Sequence, residues 1–208
     1  MKNLGQIIYV VDDDVSICRA LKLLLEQHGF KVETFTRAAE FLSSKHNKVP
    51  SCLILDIRMP GISGLALQEA MAAQQLTMPI VFITAHGDIP TSVKAMQGGA
   101  IDFLTKPVTE KKLLNAIQRA IAKDKIKNKQ QSEIERINRH IKTLSPRELE
   151  VFHLVAKGML NKQIASKRGT ALQTIKVHRG RVMQKMQAKT VTELIRLAQK
   201  AGITSTLD

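Results

Sequence analysis

Over the first 121 residues, short apolar runs alternate with segments in which apolar residues recur every three or four positions. The runs cover 6–11, 31–35, 51–55, 79–84 and 101–104. Short runs bounded by turn residues predict strands. Between them, Ile17, Leu21, Leu24 and Leu25 recur at helical spacing before Gly29. Leu65, Leu67, Ala70 and Met71 follow Gly64, and Val93 and Met96 lie between Pro90 and Gly98. Leu113, Leu114, Ile117 and Ile121 follow Thr109, an expected N-cap. Five such strand–helix units predict a doubly wound α/β domain with a five-stranded parallel sheet and helices on both faces.

The pattern changes at residues 122–142. Residues 122–131 are polar and basic with no apolar stripe, and Ile134, Ile137 and Ile141 then restore one. This predicts a partly helical linker between a first domain, 1–121, and a second, 143–208. The second has no strand-like run. Ser145-Pro146-Arg147-Glu148 reads as a capping box with Pro at the first helical position. Thr170 with Gln173 and Thr190 with Glu193 read as two more boxes, and Asn161 as a cap. Four helices follow, near 146–157, 161–168, 171–186 and 191–201. Leu149, Phe152, Leu154, Val155, Ile164, Ala165, Leu172, Ile175, Val182, Met186, Leu194 and Leu197 supply one small all-α core.

Charge separates the two parts. Residues 1–122 hold 13 Lys and Arg against 11 Asp and Glu, whereas residues 123–208 hold 19 against 7. The excess of the whole chain, +14, therefore sits almost entirely in the second part and predicts a polyanion partner for that part. No apolar run is long enough to span a membrane, and the first residues do not read as a signal peptide. Cys18 and Cys52 fall in a helix and a strand and are expected as packed thiols, so a cytoplasmic protein is expected.

The candidate chemistry lies at strand ends. Asp12 and Asp13 end the first run, Asp56 ends the third, Thr84 ends the fourth, and Lys106 lies just past the fifth. In an open parallel sheet these C-termini share one edge, where ligand sites form. Two carboxylates about 4 Å apart repel by roughly 4 kcal/mol at an effective dielectric of 20. An all-oxygen acidic cluster therefore points to Mg2+, with Mn2+ as an alternative. One carboxylate can attack phosphorus to give an acyl phosphate. Lys106 and the Thr84 hydroxyl would then meet the phosphoryl oxygens.

Val10-Val11-Asp12-Asp13-Asp14, Leu55-Asp56-Ile57-Arg58-Met59-Pro60-Gly61, Ile83-Thr84-Ala85-His86-Gly87-Asp88 and Phe103-Leu104-Thr105-Lys106-Pro107 together closely resemble the receiver domain of bacterial two-component response regulators, over about residues 5–121. The resemblance implies a flavodoxin-like fold, with Asp56 as phosphoacceptor from a sensor histidine kinase. It implies Mg2+ ligation by Asp13 and Asp56, by the Arg58 backbone carbonyl and, through water, by Asp12. Asp14 is implied to be peripheral. Thr84 and Phe103 match the switch pair, and the Lys106–Pro107 bond matches one that is cis in the family. Arg58 and His86 are read either as positions that tune phosphoryl lifetime or as a positive rim to the pocket. His86-Gly87-Asp88-Ile89-Pro90 is similar to the FixJ-type branch.

Leu144-Ser145-Pro146-Arg147-Glu148, Gly158, Asn161-Lys162-Gln163-Ile164-Ala165 and Thr174-Ile175-Lys176-Val177-His178-Arg179 resemble the LuxR-type helix-turn-helix. The helix near 171–186 is then the recognition helix, with Lys176 and Val177 at base-edge positions. Lys162, Thr174, Arg179, Arg181 and Lys185 are expected on phosphates. Gly180 departs from relatives that carry a longer side chain there.

Together these readings predict a phosphorylation-controlled transcription factor that binds duplex DNA, as a homodimer promoted by phosphorylation, with RNA polymerase as a further partner. Two rivals remain at this stage. One is an aspartyl-phosphate hydrolase, opposed by Arg58 in the place of the usual second acid. The other is a receiver-controlled RNA-binding regulator, opposed by the scarcity of aromatic side chains for stacking.

Overall fold

Alternation along each strand divides the first core in two. The structure, a computed structural model, describes residues 5–47, 49–85 and 87–203. It forms two compact units, 1–129 and 130–208. In the first, five parallel strands stand in the order β2-β1-β3-β4-β5. They are β1 (Ile7–Val11), β2 (Lys31–Phe35), β3 (Ser51–Asp56), β4 (Ile80–Thr84) and β5 (Asp102–Thr105). Tyr9, Val11, Leu53, Leu55 and Phe82 face one side, where they pack with Phe41, Leu67, Met71 and Ala95. Ile8, Val10, Cys52, Ile54, Val81 and Ile83 face the other, with Leu25, Leu113, Ala116 and Ile117. The period of two thus feeds two helical layers from one sheet.

The helices of this unit are α1 (Val15–Gln27), α2 (Ala38–Ser43), α3 (Gly64–Ala73), α4 (Ile89–Gln97) and the first part of α5 (Glu110–Ile141). The six-residue α2 is an element that the sequence pattern did not mark. Cys18 and Cys52 are buried free thiols, as expected. The order 2-1-3-4-5 reverses direction between β1 and β3, so Asp12 and Asp56 flank the topological switch point.

Of the stretch 122–142, expected as a linker, residues 122–141 lie within α5, and the two units divide inside it. Apolar periodicity missed how its first half is anchored. Asp124 is 5% exposed and accepts hydrogen bonds from the Ser51 backbone N–H at 2.8 Å and from Asn128 Nδ2 at 2.9 Å. Burial raises its carboxyl pKa, and these bonds oppose the rise in part.

The second unit holds α6 (Pro146–Ala156), α7 (Asn161–Arg168), α8 (Leu172–Lys185) and α9 (Val191–Lys200), together with Ile137 in its core. Phe152 is fully buried there. The Ser145 capping box is present, with both reciprocal bonds. Two expected caps are corrected. Leu160 rather than Asn161 precedes α7 as its N-cap. Ala171 rather than Thr170 precedes α8, with no side-chain cap bond. The Thr170 N–H is engaged by the Ala165 carbonyl at 3.1 Å, closing the turn after left-handed Gly169. The Thr190 hydroxyl caps α9, but the Glu193 carboxylate accepts from the Lys189 N–H instead of closing a box. Among the described residues no helix is long and apolar enough to cross a membrane.

Candidate functional site

Strand geometry brings three of the expected residues to one buried point. Asp12 follows β1, Asp56 ends β3 and Thr84 ends β4, and their exposures are 4%, 6% and 1%. Lys106 follows β5, and its N–H donates to the Thr84 carbonyl at 2.7 Å. That bond sets the lysine at the sheet edge, and the Lys106–Pro107 peptide beside it is cis. Lys106 Nζ donates to Asp12 Oδ2 at 2.7 Å and to Asp56 Oδ1 at 2.9 Å. Burial pulls the ammonium pKa down, but the two carboxylate bonds outweigh it and the net shift is upward. Burial also raises the Asp56 carboxyl against the bonds from Lys106, and Asp12 adds to the rise.

The remaining Asp56 oxygen, Oδ2, accepts the Arg58 backbone N–H at 2.6 Å. The Arg58 side chain is exposed. Asp13, next in the chain, is exposed, and the two buried carboxylates share one ammonium. Among the described residues no three His, Cys, Asp or Glu side chains converge as a metal-binding group. Asp14 stands apart and caps α1, accepting from the Ser16 N–H at 2.7 Å. Phe103 lies on β5 opposite Phe82, half-buried. His86 lies outside the described residues.

Two glycines complete the pocket by what they lack. A Cβ on Gly64 would stand 2.2 Å from the Asp56 carbonyl oxygen. A Cβ on Gly87 would meet Thr105 Cγ2 at 2.8 Å and the Phe103 ring at 3.0 Å. Sequence reading did not place Gly64 against the Asp56 backbone, because the close approach arises from the tertiary fold.

In the second unit, α8 exposes Lys176, Val177, Arg181 and Thr174, and α7 exposes Lys162. Arg179 is half-buried and donates to Asn161 Oδ1 at 2.6 Å, tying α8 to α7. No heavy atom outside the local backbone lies within 4 Å of where a Gly180 Cβ would be. These helices therefore present a basic surface over the packed core of the unit.

The comparisons agree with both geometries. The response regulator receiver domain family is matched over residues 8–118. The luxR family of bacterial regulatory proteins is matched over residues 142–198. Nodulation protein W of Bradyrhizobium diazoefficiens is 44% identical over 199 residues, 96% of this chain and 88% of that protein. Transcriptional regulatory protein FixJ of the same species is 40% identical, over 94% of this chain and 96% of its own. A solved structure of the response regulator StyR is 42% identical, with a TM-score of 0.84 over 94% of this chain and 99% of that one.

The chain belongs to the response regulators.

In this response regulator a receiver domain precedes a LuxR-type DNA-binding domain. In the second of these, Lys185, expected on a phosphate, is exposed and also has partners in its own unit. Lys185 Nζ donates to Glu148 Oε2 at 2.6 Å and to the Thr143 carbonyl at 3.0 Å, so its charge is engaged inside its own unit. Glu148 is 4% exposed and needs that cation, since an unpaired buried carboxylate is strongly unfavourable. The bond from Lys185, with that from the Ser145 N–H, holds the Glu148 carboxyl down at about 2.

A pKa lowered from 4.5 to about 2 stabilises the fold above the unfolded value, and the stabilisation is lost as pH falls through the folded value. Glu148→Gln is expected to destabilise the second unit at pH 7 by about 1–3 kcal/mol. The difference from wild type should close as pH falls from 4.5 to about 2. Urea unfolding across that range checks it; a difference independent of pH would contradict the assignment.

Proposed function

We propose that this response regulator accepts a phosphoryl group on Asp56 from a sensor histidine kinase and thereby controls its binding to duplex DNA. The observation that carries the reading is the shared ammonium of Lys106 on buried Asp12 and Asp56. An Asp56 oxygen attacks phosphorus, the phosphorus–nitrogen bond of the kinase phosphohistidine breaks, and the imidazole leaves with the electron pair. Lys106 then exchanges its Asp56 contact for a phosphoryl oxygen, while Asp12 keeps the ammonium in place.

The donor set fits a hard divalent cation. Asp12 and Asp56 are buried acids with oxygen donors, and one ammonium leaves the pair a net negative charge. Asp13, Asp56 and the Arg58 carbonyl would hold Mg2+ or Mn2+, with Asp12 acting through water. The bound ion supplies positive charge to the phosphoryl oxygens. The Thr84 hydroxyl turns toward the phosphoryl group and Phe103 follows inward, a local change that biases a surface beside β5. Gly87 supports this reading, since a side chain there would press on the ring that has to move.

That surface is apolar. Ile89, Val93 and Met96 are exposed on α4 at helical spacing, with exposures of 79%, 46% and 46%. They offer a second copy of the chain a face to cover. A twofold dimer then places two α8 helices on two half-sites. Lys176 and Val177 read base edges, while Lys162, Thr174, Arg179 and Arg181 position the phosphates. RNA polymerase is the further partner of a cytoplasmic factor of this kind. The protein is a regulator rather than an enzyme turning over a separate substrate, because an arginine occupies the place of a second acid two residues after Asp56.

Intact mass after incubation with a small phosphodonor and Mg2+ tests the acceptor. The wild type is expected to gain one phosphoryl group and Asp56→Asn none; equal gain by both would overturn the assignment. Val93→Asp should still be phosphorylated but fail to dimerise, as read by light scattering. Dimerisation of that variant at wild-type concentrations would remove α4 from the account.

A further inference from the structure

The DNA-binding unit carries a second surface that the recognition helix does not use. A groove of about 550 Å3 opens between α6, the end of α7 and the residues after α9. Leu154 and Ile203 pack against the core and form its inner wall. His153, Lys157, Lys167 and Arg168 line it from exposed positions. Its one acid, Glu150, is neutralised by Arg168 at 2.5 Å and Arg147 at 3.4 Å. Among the described residues Lys157 and Lys167 have no ion-pair partner, so the groove is apolar inside and cationic outside. Lys176, Val177 and Arg181 take no part in lining it.

We propose that this groove docks an acidic segment of a partner protein, seated by one apolar side chain against Leu154 and Ile203. Charge complementarity selects the partner: two free ammonium groups attract carboxylates and steer the encounter. The apolar wall argues for a peptide over nucleic acid, since sugar and phosphate gain nothing from an apolar wall, whereas a buried anchor side chain does. The volume lies within the range of sites that enclose a small group. The inference depends on the second unit alone and not on events at Asp56.

The test uses the full chain and two fluorescein-labelled synthetic peptides of equal charge, one alternating Asp with Leu, the other Asp with Ser. The Leu peptide is expected to bind about tenfold more tightly, the order of one well-buried apolar anchor. It should shift the methyl resonances of Leu154 and Ile203, and it should stay bound when saturating duplex DNA is added. The double variant Lys157→Glu and Lys167→Glu, both at exposed positions, should lose the peptide while keeping its circular dichroism. Equal affinity for the two peptides, displacement by DNA, or full binding by the double variant would overturn the proposal, by assigning the signal to general polyanion binding. Methyl shifts on dilution of the peptide-free protein, or on deletion of residues 204–208, would likewise overturn it, by giving the groove to a second copy or to the chain's own end.

Discussion

One ammonium between two buried carboxylates governs the first domain. Lys106 reaches Asp12 and Asp56 across strands that are 94 and 50 residues distant in sequence. Both acids are buried at the sheet edge, and for Asp56 burial penalises the charged form. The parallel sheet supplies the meeting point, and the hydrogen bond from the Lys106 N–H to the Thr84 carbonyl supplies the reach. Phosphoryl chemistry on Asp56 would change the charge at the position Lys106 now holds, and Thr84 lies within the same buried edge. A change in one pair of contacts thus has an immediate neighbour through which to act.

The second domain solves a related problem differently. Its basic surface is a burden on a small core, since like charges repel across it. Lys185 is directed inward onto Glu148, which also completes the Ser145 capping box, so one carboxylate serves a helix start and a buried ion pair. Arg179 is similarly engaged with Asn161. Both cations therefore also help fix α8 in place, and Lys162, Lys176 and Arg181 are exposed.

Much of this was legible in the sequence, for a definite reason. Strands with a period of two and acids at their ends project onto a known edge once the sheet is parallel, so Asp12, Asp56, Thr84 and Lys106 could be placed together from spacing. The LuxR-type unit was legible from its blocks of helix and turn residues. What escaped was set by tertiary contact. Lys185 reads as a free cation until its bond to buried Glu148 is seen. Asp124 sits in a polar stretch with no apolar stripe, and its burial depends on the backbone N–H of Ser51, 73 residues away. Gly64 and Gly87 matter for space that other elements occupy. The α2 helix has only Ala38 and Phe41 buried, too few to make a period.

The most direct measurement is the affinity of the full chain for a duplex selected from a random pool, before and after treatment with phosphodonor and Mg2+, for wild type and Asp56→Asn. Coupling of 1–3 kcal/mol, or roughly 5- to 150-fold, is ordinary for two linked sites. The account predicts a rise in that range for the wild type and none for the variant. Equal wild-type affinities with phosphorylation confirmed by mass would contradict it, and would separate the receiver's chemistry from control of DNA binding.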